Sequence, residues 1–152
     1  MDINCTVRPA RTSDIGRMCE LLSDLFSIEA DFTPDRGKQA RGLELLINDT
    51  SGSGAVFVAE AHGEVIGMCT VQTLVSTSQG GTVGLLEDLV VRKDLRGRGV
   101  GGSLLSHTLA YCAERGITRV QLLRDADNSR ALDFYARNGW CDTSLVCMRK
   151  LL

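Results

Sequence analysis

At 152 residues the chain has the length of one ordinary domain, and a single domain over residues 1–152 with a substantial core is expected. Hydrophobic residues make up 43% and charged residues 24%, which excludes a disordered chain, and apolar runs such as 55–59 are far too short to cross a membrane. A net charge of −2 is too balanced for a protein that coats nucleic acid.

The first residues, MDINCTVRPARTSD, carry an early acid and no apolar stretch, so no secretory signal is expected and a cytoplasmic address is the default. Six cysteines stand at 5, 19, 69, 112, 141 and 147, none in a CxxC pair. In a reducing compartment they read as buried free thiols. His62 and His107 have no nearby cysteine partner, so no metal site is expected.

In chain order, NCTVRPA reads as a first strand. TSDIGRMCELLSDLF follows as a helix, with Ile15, Met18, Leu22 and Leu25 at helical spacing and Thr12 or Ser13 as its expected N-cap. The acidic loop IEADFTPD leads to a second helix over 34–48, with Ala40, Leu43 and Ile47 on one face. AVFVAEA and VIGMCTVQTLV form a hairpin about HGE, and SQGG turns the chain into a strand over residues 82–91. A helix carrying Leu104, Leu105, Leu109 and Cys112 ends at Arg115 and Gly116, and TRVQLLR is the next strand. A helix then runs from Asn128 to Asn138, with Gly139 at its C-terminus, and WCDTSLVCMRKLL supplies the last strand or strands. The order implies an α/β (α+β) fold. Its mixed, mostly antiparallel sheet would hold six to seven strands, with one parallel pair and helices on both faces.

DLRGRGVGGSLL places four glycines at the start of a helix, where each weakens the helix by about 1 kcal/mol relative to alanine. Some close approach to the backbone must require them. The letters fit G-x-G-x-x-G, but residues 92–96 separate the motif from its strand, and about 50 residues remain after it. That is too few for the second half of a dinucleotide-binding sheet. A phosphate-binding P-loop would need a lysine where Ser103 stands. A glycine turn opening a helix presents unpaired N–H groups and the positive end of the helix dipole. Arg92, Lys93, Arg96 and Arg98 against Asp94 add positive charge, so the ligand should be a polyphosphorylated anion across the end of the 82–91 strand.

Arg96-Gly97-Arg98-Gly99-Val100-Gly101 resembles the R/Q-x-x-G-x-G/A signature of the GNAT superfamily of N-acetyltransferases. DNSRALDFYARNGW is similar to its second motif, with Asn128, Ala131, Tyr135, Gly139 and Trp140 at the matching places. The resemblance extends over nearly the whole chain and implies the GNAT fold. It implies acetyl-coenzyme A as co-substrate and direct transfer of acetyl to an amine in a ternary complex.

By that resemblance, the amides of Arg96, Gly97, Arg98, Gly99, Val100, Gly101 and Gly102 cradle the pyrophosphate of coenzyme A. The pantetheine arm adds like a strand beside Leu89, Val90 and Val91. Asn128 contacts the pantetheine, caps its helix, or does both. Tyr135 occupies the family's acid position. Glu87 shares a strand face with Leu89 and is favoured as base over Asp88, directly or through water; a bulge would exchange the two faces. Cys112, Cys141 and Cys147 have no activating neighbour in sequence and read as structural, as do His107 and Trp140.

Glu29, Asp31 and Asp35 fall in the family's variable acceptor region, where they either receive a cationic amine or form a solvated loop. A small-molecule primary amine is the favoured acceptor. A protein N-terminus or lysine, or a sensor that binds acyl-coenzyme A without turnover, are the alternatives. No nucleic-acid or membrane partner is expected, and a homodimer is implied only by the resemblance.

Overall fold

The computed structural model describes residues 3–29 and 31–152. The chain divides into two compact units, Met1–Leu122 and Leu123–Leu152.

The first unit holds β1 (Thr6–Pro9), α1 (Ile15–Phe26), α2 (Arg36–Ile47), β2 (Gly54–Ala61), β3 (Glu64–Ser76), β4 (Gly81–Val91), α3 (Val100–Glu114) and β5 (Val120–Leu122). Its strands lie in sequence order, with β1 to β4 antiparallel and β4–β5 parallel. Short turns join β2 to β3 and β3 to β4, α1 and α2 lie between β1 and β2, and the α3 crossover makes the parallel β4–β5 pair possible. The sheet has five strands among the described residues, where six to seven were expected.

Alternation along the strands divides the core between two faces. On one face, Met18, Cys19, Leu21 and Leu22 of α1 and Leu43 of α2 pack over Val56, Val58, Met68 and Val90. On the other, α3 lies so close that a Cβ at Gly67 would stand 3.0 Å from Leu104 Cδ1. There Phe57 meets the rings of His107 and Tyr111 edge-on, at 4.8 and 5.1 Å between centroids. His107 is thus a packing residue.

Neither Thr12 nor Ser13 caps α1. They belong to a 3-10 turn over Thr12–Asp14, and the Asp14 carboxylate accepts the Arg11 N–H at 2.7 Å. The same carboxylate is gripped by Arg8, so Asp14 organises this turn in their place.

The second unit contains α4 (Ser129–Arg137). Asn128 caps it by accepting the Ala131 N–H at 3.0 Å. Residues 140–152, predicted as the last strand or strands, take no regular secondary structure. Their β-rich composition has no ladder there. Thr143 Oγ1 instead takes the Leu145 N–H at 3.3 Å, and Asp142 binds Arg124 through both oxygens at 2.9 and 3.0 Å.

Candidate active site

β4 and the segment after it build the site in the first unit. A 3-10 turn over Lys93–Leu95 leads into the glycine loop. Gly97 and Gly99 have φ of +75° and +82°, a left-handed backbone that costs other residues about 1–2 kcal/mol. Gly99 occupies the N-cap of α3, and the first intrahelical bond runs from Ser103 N to Gly99 O at 3.0 Å. The amides of Val100, Gly101 and Gly102 therefore precede the helical ladder and point out of its mouth. Free amides at a glycine-opened helix mouth form a geometry able to hold an anion. The Ile3 N–H donates to Arg98 O at 3.0 Å and anchors the loop from outside.

The cationic character is narrower than the sequence suggests. Arg92 is held by Asp94 at 2.8 Å and by Glu64 at 2.9 Å, so its charge is already paired. Arg96 turns its Nε–H back to Val91 O at 2.9 Å. Lys93 and Arg98 remain exposed beside the loop.

β4 is unzipped on the β5 side. The parallel ladder pairs Gly84, Leu85 and Leu86 with Val120, Gln121 and Leu122, and it extends no further among the described residues. Leu89, Val90 and Val91 lie past that point; Val90 and Val91 pair with Met68 and Gly67 of β3, while Leu89 falls in a break of that register.

A bulge interrupts β4 here. The register steps from Met68 opposite Val90 to Thr70 opposite Glu87, and Asp88 adopts φ +47°. This overturns the simple alternation that set Glu87 and Asp88 on opposite faces. Glu87 Oε2 accepts from Gln72 Nε2 at 3.2 Å, and Asp88 Oδ2 accepts from Thr70 Oγ1 at 3.2 Å. Thr70 and Gln72 are two residues apart on β3, so both carboxylates turn to one face. Burial, reinforced by the charge of Glu87 and opposed by the Thr70 hydrogen bond, pushes the Asp88 carboxyl up to about 6. Two adjacent acids with one held near neutrality form an arrangement suited to proton transfer.

Residues 17–140 match the acetyltransferase (GNAT) family. The chain belongs to it.

Over 134 residues it is 28% identical to an uncharacterized N-acetyltransferase, YhfO, of Bacillus subtilis (strain 168), covering 88% of each chain. It is 25% identical to the aminoalkylphosphonate N-acetyltransferase of Salmonella typhimurium, covering 90% of this chain and 84% of the relative. Its fold is shared with an aminoglycoside acetyltransferase from an uncultured soil metagenomic sample, solved in complex with sisomicin. The TM-score is 0.78 at 21% identity, with 97% of this chain and 96% of that one covered.

The other residues singled out in the sequence of this GNAT acetyltransferase are spread over both units. In the loop before α2, Asp35 caps α2 by giving an acceptor to the Lys38 N–H at 3.0 Å, while Asp31 is exposed. The structure buries Cys19, Cys69 and Cys112, whereas Cys5 is half-buried and Cys141 and Cys147 are exposed. Burial raises the thiols of Cys19 and Cys112 and pushes Cys69 up to about 12, which leaves these three poor nucleophiles.

In the second unit, Tyr135 lies on α4 and packs against Phe134 and Trp140, with centroids at 5.1 and 5.5 Å. Trp140 is thus an aromatic neighbour of Tyr135. The structure groups Glu87, Asp88, 89–91 and the 96–102 loop in the first unit, and Asn128 and Tyr135 on or beside one helix in the second. Sequence reasoning missed Thr70 and Gln72. Their signal was two polar side chains at alternate positions in the apolar run VIGMCTVQTLV.

Proposed function

We propose that the chain is an acetyl-coenzyme A-dependent N-acetyltransferase acting on a primary amine of a small molecule by direct attack in a ternary complex. The observation that carries this reading is the glycine-opened mouth of α3 beside the unzipped, acid-bearing end of β4. The residues present suit the coenzyme. A Cβ at Gly97 or Gly102 would meet nothing within 4 Å, so space for a ligand borders the loop backbone.

The amides from Arg96 to Gly102 would hold the pyrophosphate, and the backbone of Leu89, Val90 and Val91 would pair the pantetheine amides. Bound there, acetyl-coenzyme A supplies an activated acyl group. The Leu89 N–H polarises the acyl carbonyl, the Glu87–Asp88 pair deprotonates the incoming ammonium, and Tyr135 returns a proton to the leaving sulfur. Asn128 holds α4 in register as its cap. The similarity to an aminoalkylphosphonate N-acetyltransferase favours a small acceptor over a peptide.

Two measurements test this. Coenzyme A at about a hundred times its Kd should raise Tm by roughly 5–10 °C, while NAD should leave it unchanged. A panel of small amines and of peptides is then assayed for thiol release from acetyl-coenzyme A. Turnover with a small amine supports the reading, and turnover with peptides alone overturns the acceptor class. Tight coenzyme binding without release from any acceptor would mark a sensor.

A further inference from the structure

Within the acid pair, sequence reasoning favoured Glu87 as the base over Asp88, and the geometry of the bulge argues for the reverse. We propose that Asp88, held at the β4 bulge by the Thr70 hydroxyl, takes the proton from the acceptor's ammonium, while Glu87 holds that ammonium's charge. The proposal rests on the acetyltransferase reading and goes beyond it in assigning the base and naming Thr70 as its positioning residue.

The geometry makes the distinction. Asp88 is half-buried, in the left-handed backbone that sets the bulge, and its Oδ2 receives a hydrogen bond from a hydroxyl with no solvent exposure. Glu87 is exposed and steadied by Gln72. An exposed carboxylate attracts a cation from solution without a large desolvation cost. Burial moves the Asp88 carboxylate toward the proton affinity that a base acting on an alkylammonium needs.

The groups around Asp88 do not compete for this task. Glu87 on its own strand raises its proton affinity. The nearby Cys69 thiol of β3 is held neutral by burial. α1 turns Met18, Cys19, Leu21 and Leu22 into the core, and α3 turns Leu104, Leu105, Thr108 and Cys112; the titratable groups in those sets are thiols raised by burial.

The step balances. An N–H bond of the ammonium breaks as an O–H bond forms on Asp88, and the freed lone pair makes the N–C bond to the thioester carbonyl. The C–S bond then breaks with its electron pair on sulfur. The surplus proton on the new amide nitrogen leaves as the sulfur is protonated, and Asp88 returns its proton to solvent.

The test compares Asp88→Asn, Glu87→Gln, Thr70→Val and Thr70→Ser in the full chain. The first readout needs no acceptor: carboxyl 13C NMR of aspartate-labelled protein, with the Asp88 signal identified by its loss in Asp88→Asn. Asp88 should titrate near pH 6, about one pH unit higher in Thr70→Val, and near the parent value in Thr70→Ser. Asparagine tolerates the left-handed backbone and valine matches threonine in shape, so the fold should survive both changes.

The second readout is the pH profile of kcat/KM with the amine found active in the panel. The acid limb should follow the Asp88 titration in each Thr70 variant. Asp88→Asn should abolish the limb and lower the rate about 100-fold or more at pH 7. Glu87→Gln should mainly raise KM and move the limb to lower pH. An acid limb that survives Asp88→Asn, or disappears in Glu87→Gln, overturns the assignment. An unmoved Asp88 signal in Thr70→Val overturns the positioning role. If no amine releases thiol, the acetyltransferase reading and the base assignment fall together, while the NMR titration still decides whether Thr70 governs Asp88.

Discussion

Arg96 Nε donates to the Val91 carbonyl at 2.9 Å, so a side chain of the glycine loop is tied to the last residue of the strand before it. The contact fixes where the loop leaves the sheet, and with it the direction in which the following amides point. Arg96→Ala should raise the Kd for coenzyme A about tenfold, the effect of losing roughly 1.4 kcal/mol of hydrogen bonding and preorganisation. Arg96→Lys should recover little, because an ammonium does not reproduce the planar guanidinium donor. Titration calorimetry on the three proteins checks this, and an unchanged Kd in Arg96→Ala would remove the loop-positioning role.

Gly97 offers a cleaner test of backbone conformation. Its φ is +75°, yet a Cβ there would meet nothing within 4 Å. Gly97→Ala therefore introduces no clash, and its cost is that of holding an L-residue left-handed. Urea unfolding should show a loss of about 1–2 kcal/mol. The affinity for coenzyme A should also fall, since the loop can relax toward a right-handed backbone when no ligand holds it.

Arg8 joins the first strand to the turn before α1. It reaches Asp14 at 2.8 Å, while Glu60 also holds it from β2 at 2.6 Å. The Arg8 hydrogen bond, opposed by burial and aided by the Arg11 N–H, keeps the Asp14 carboxyl below the ordinary carboxylate range. A depressed folded value gives stability that is present above the unfolded value of 3.8 and is lost as pH falls through the folded one. Asp14→Asn should cost about 3 kcal/mol at pH 7, because it leaves a largely buried guanidinium short of a partner. The difference from the parent should shrink below pH 4. Urea titrations at pH 7 and pH 3 measure both effects.

Elements with a strong local pattern were legible. The α1 stripe, the β2–β3 hairpin and the glycine turn each carry their instruction within a few residues, and the structure contains all three. What escaped was set by distant partners. The bulge at Asp88 depends on register against Met68 and Thr70, some twenty residues earlier, so alternation in β4 alone set the two acids on opposite faces. Arg92 read as a cation for phosphate because Glu64, across the sheet, was invisible from its own segment. The segment 140–152 has the composition of a strand, but composition does not supply a neighbour for its backbone.

Asn128 was open to two roles, and its cap separates them. The side chain accepts the Ala131 N–H at 3.0 Å, so Asn128→Ala should destabilise α4 by about 1 kcal/mol, while Asn128→Asp keeps an acceptor there. If capping is its whole contribution, coenzyme A affinity in Asn128→Asp should equal that of the parent. A weakened affinity with an intact helix, read by calorimetry beside circular dichroism, would show that the amide also meets the ligand.

The raised Asp88 carboxyl has a consequence for stability of opposite sign to that of Asp14. Its folded value of about 6 lies above the reference 3.8, so the native state binds the proton more tightly than the unfolded chain does. Stability is therefore greatest below about pH 4 and declines as pH rises toward 6, after which this contribution is constant. Two pH units correspond to about 3 kcal/mol of penalty at neutral pH. Asp88→Asn removes the buried charge, keeps an oxygen for the Thr70 hydroxyl and tolerates φ +47°. The variant should accordingly be about 2 kcal/mol more stable than the parent at pH 8 and nearly equal to it at pH 4, even as it loses turnover. Denaturant unfolding across that range decides the matter: a variant less stable than the parent at pH 8 would mean that the charged Asp88 is held favourably, and the strained-base picture would fail.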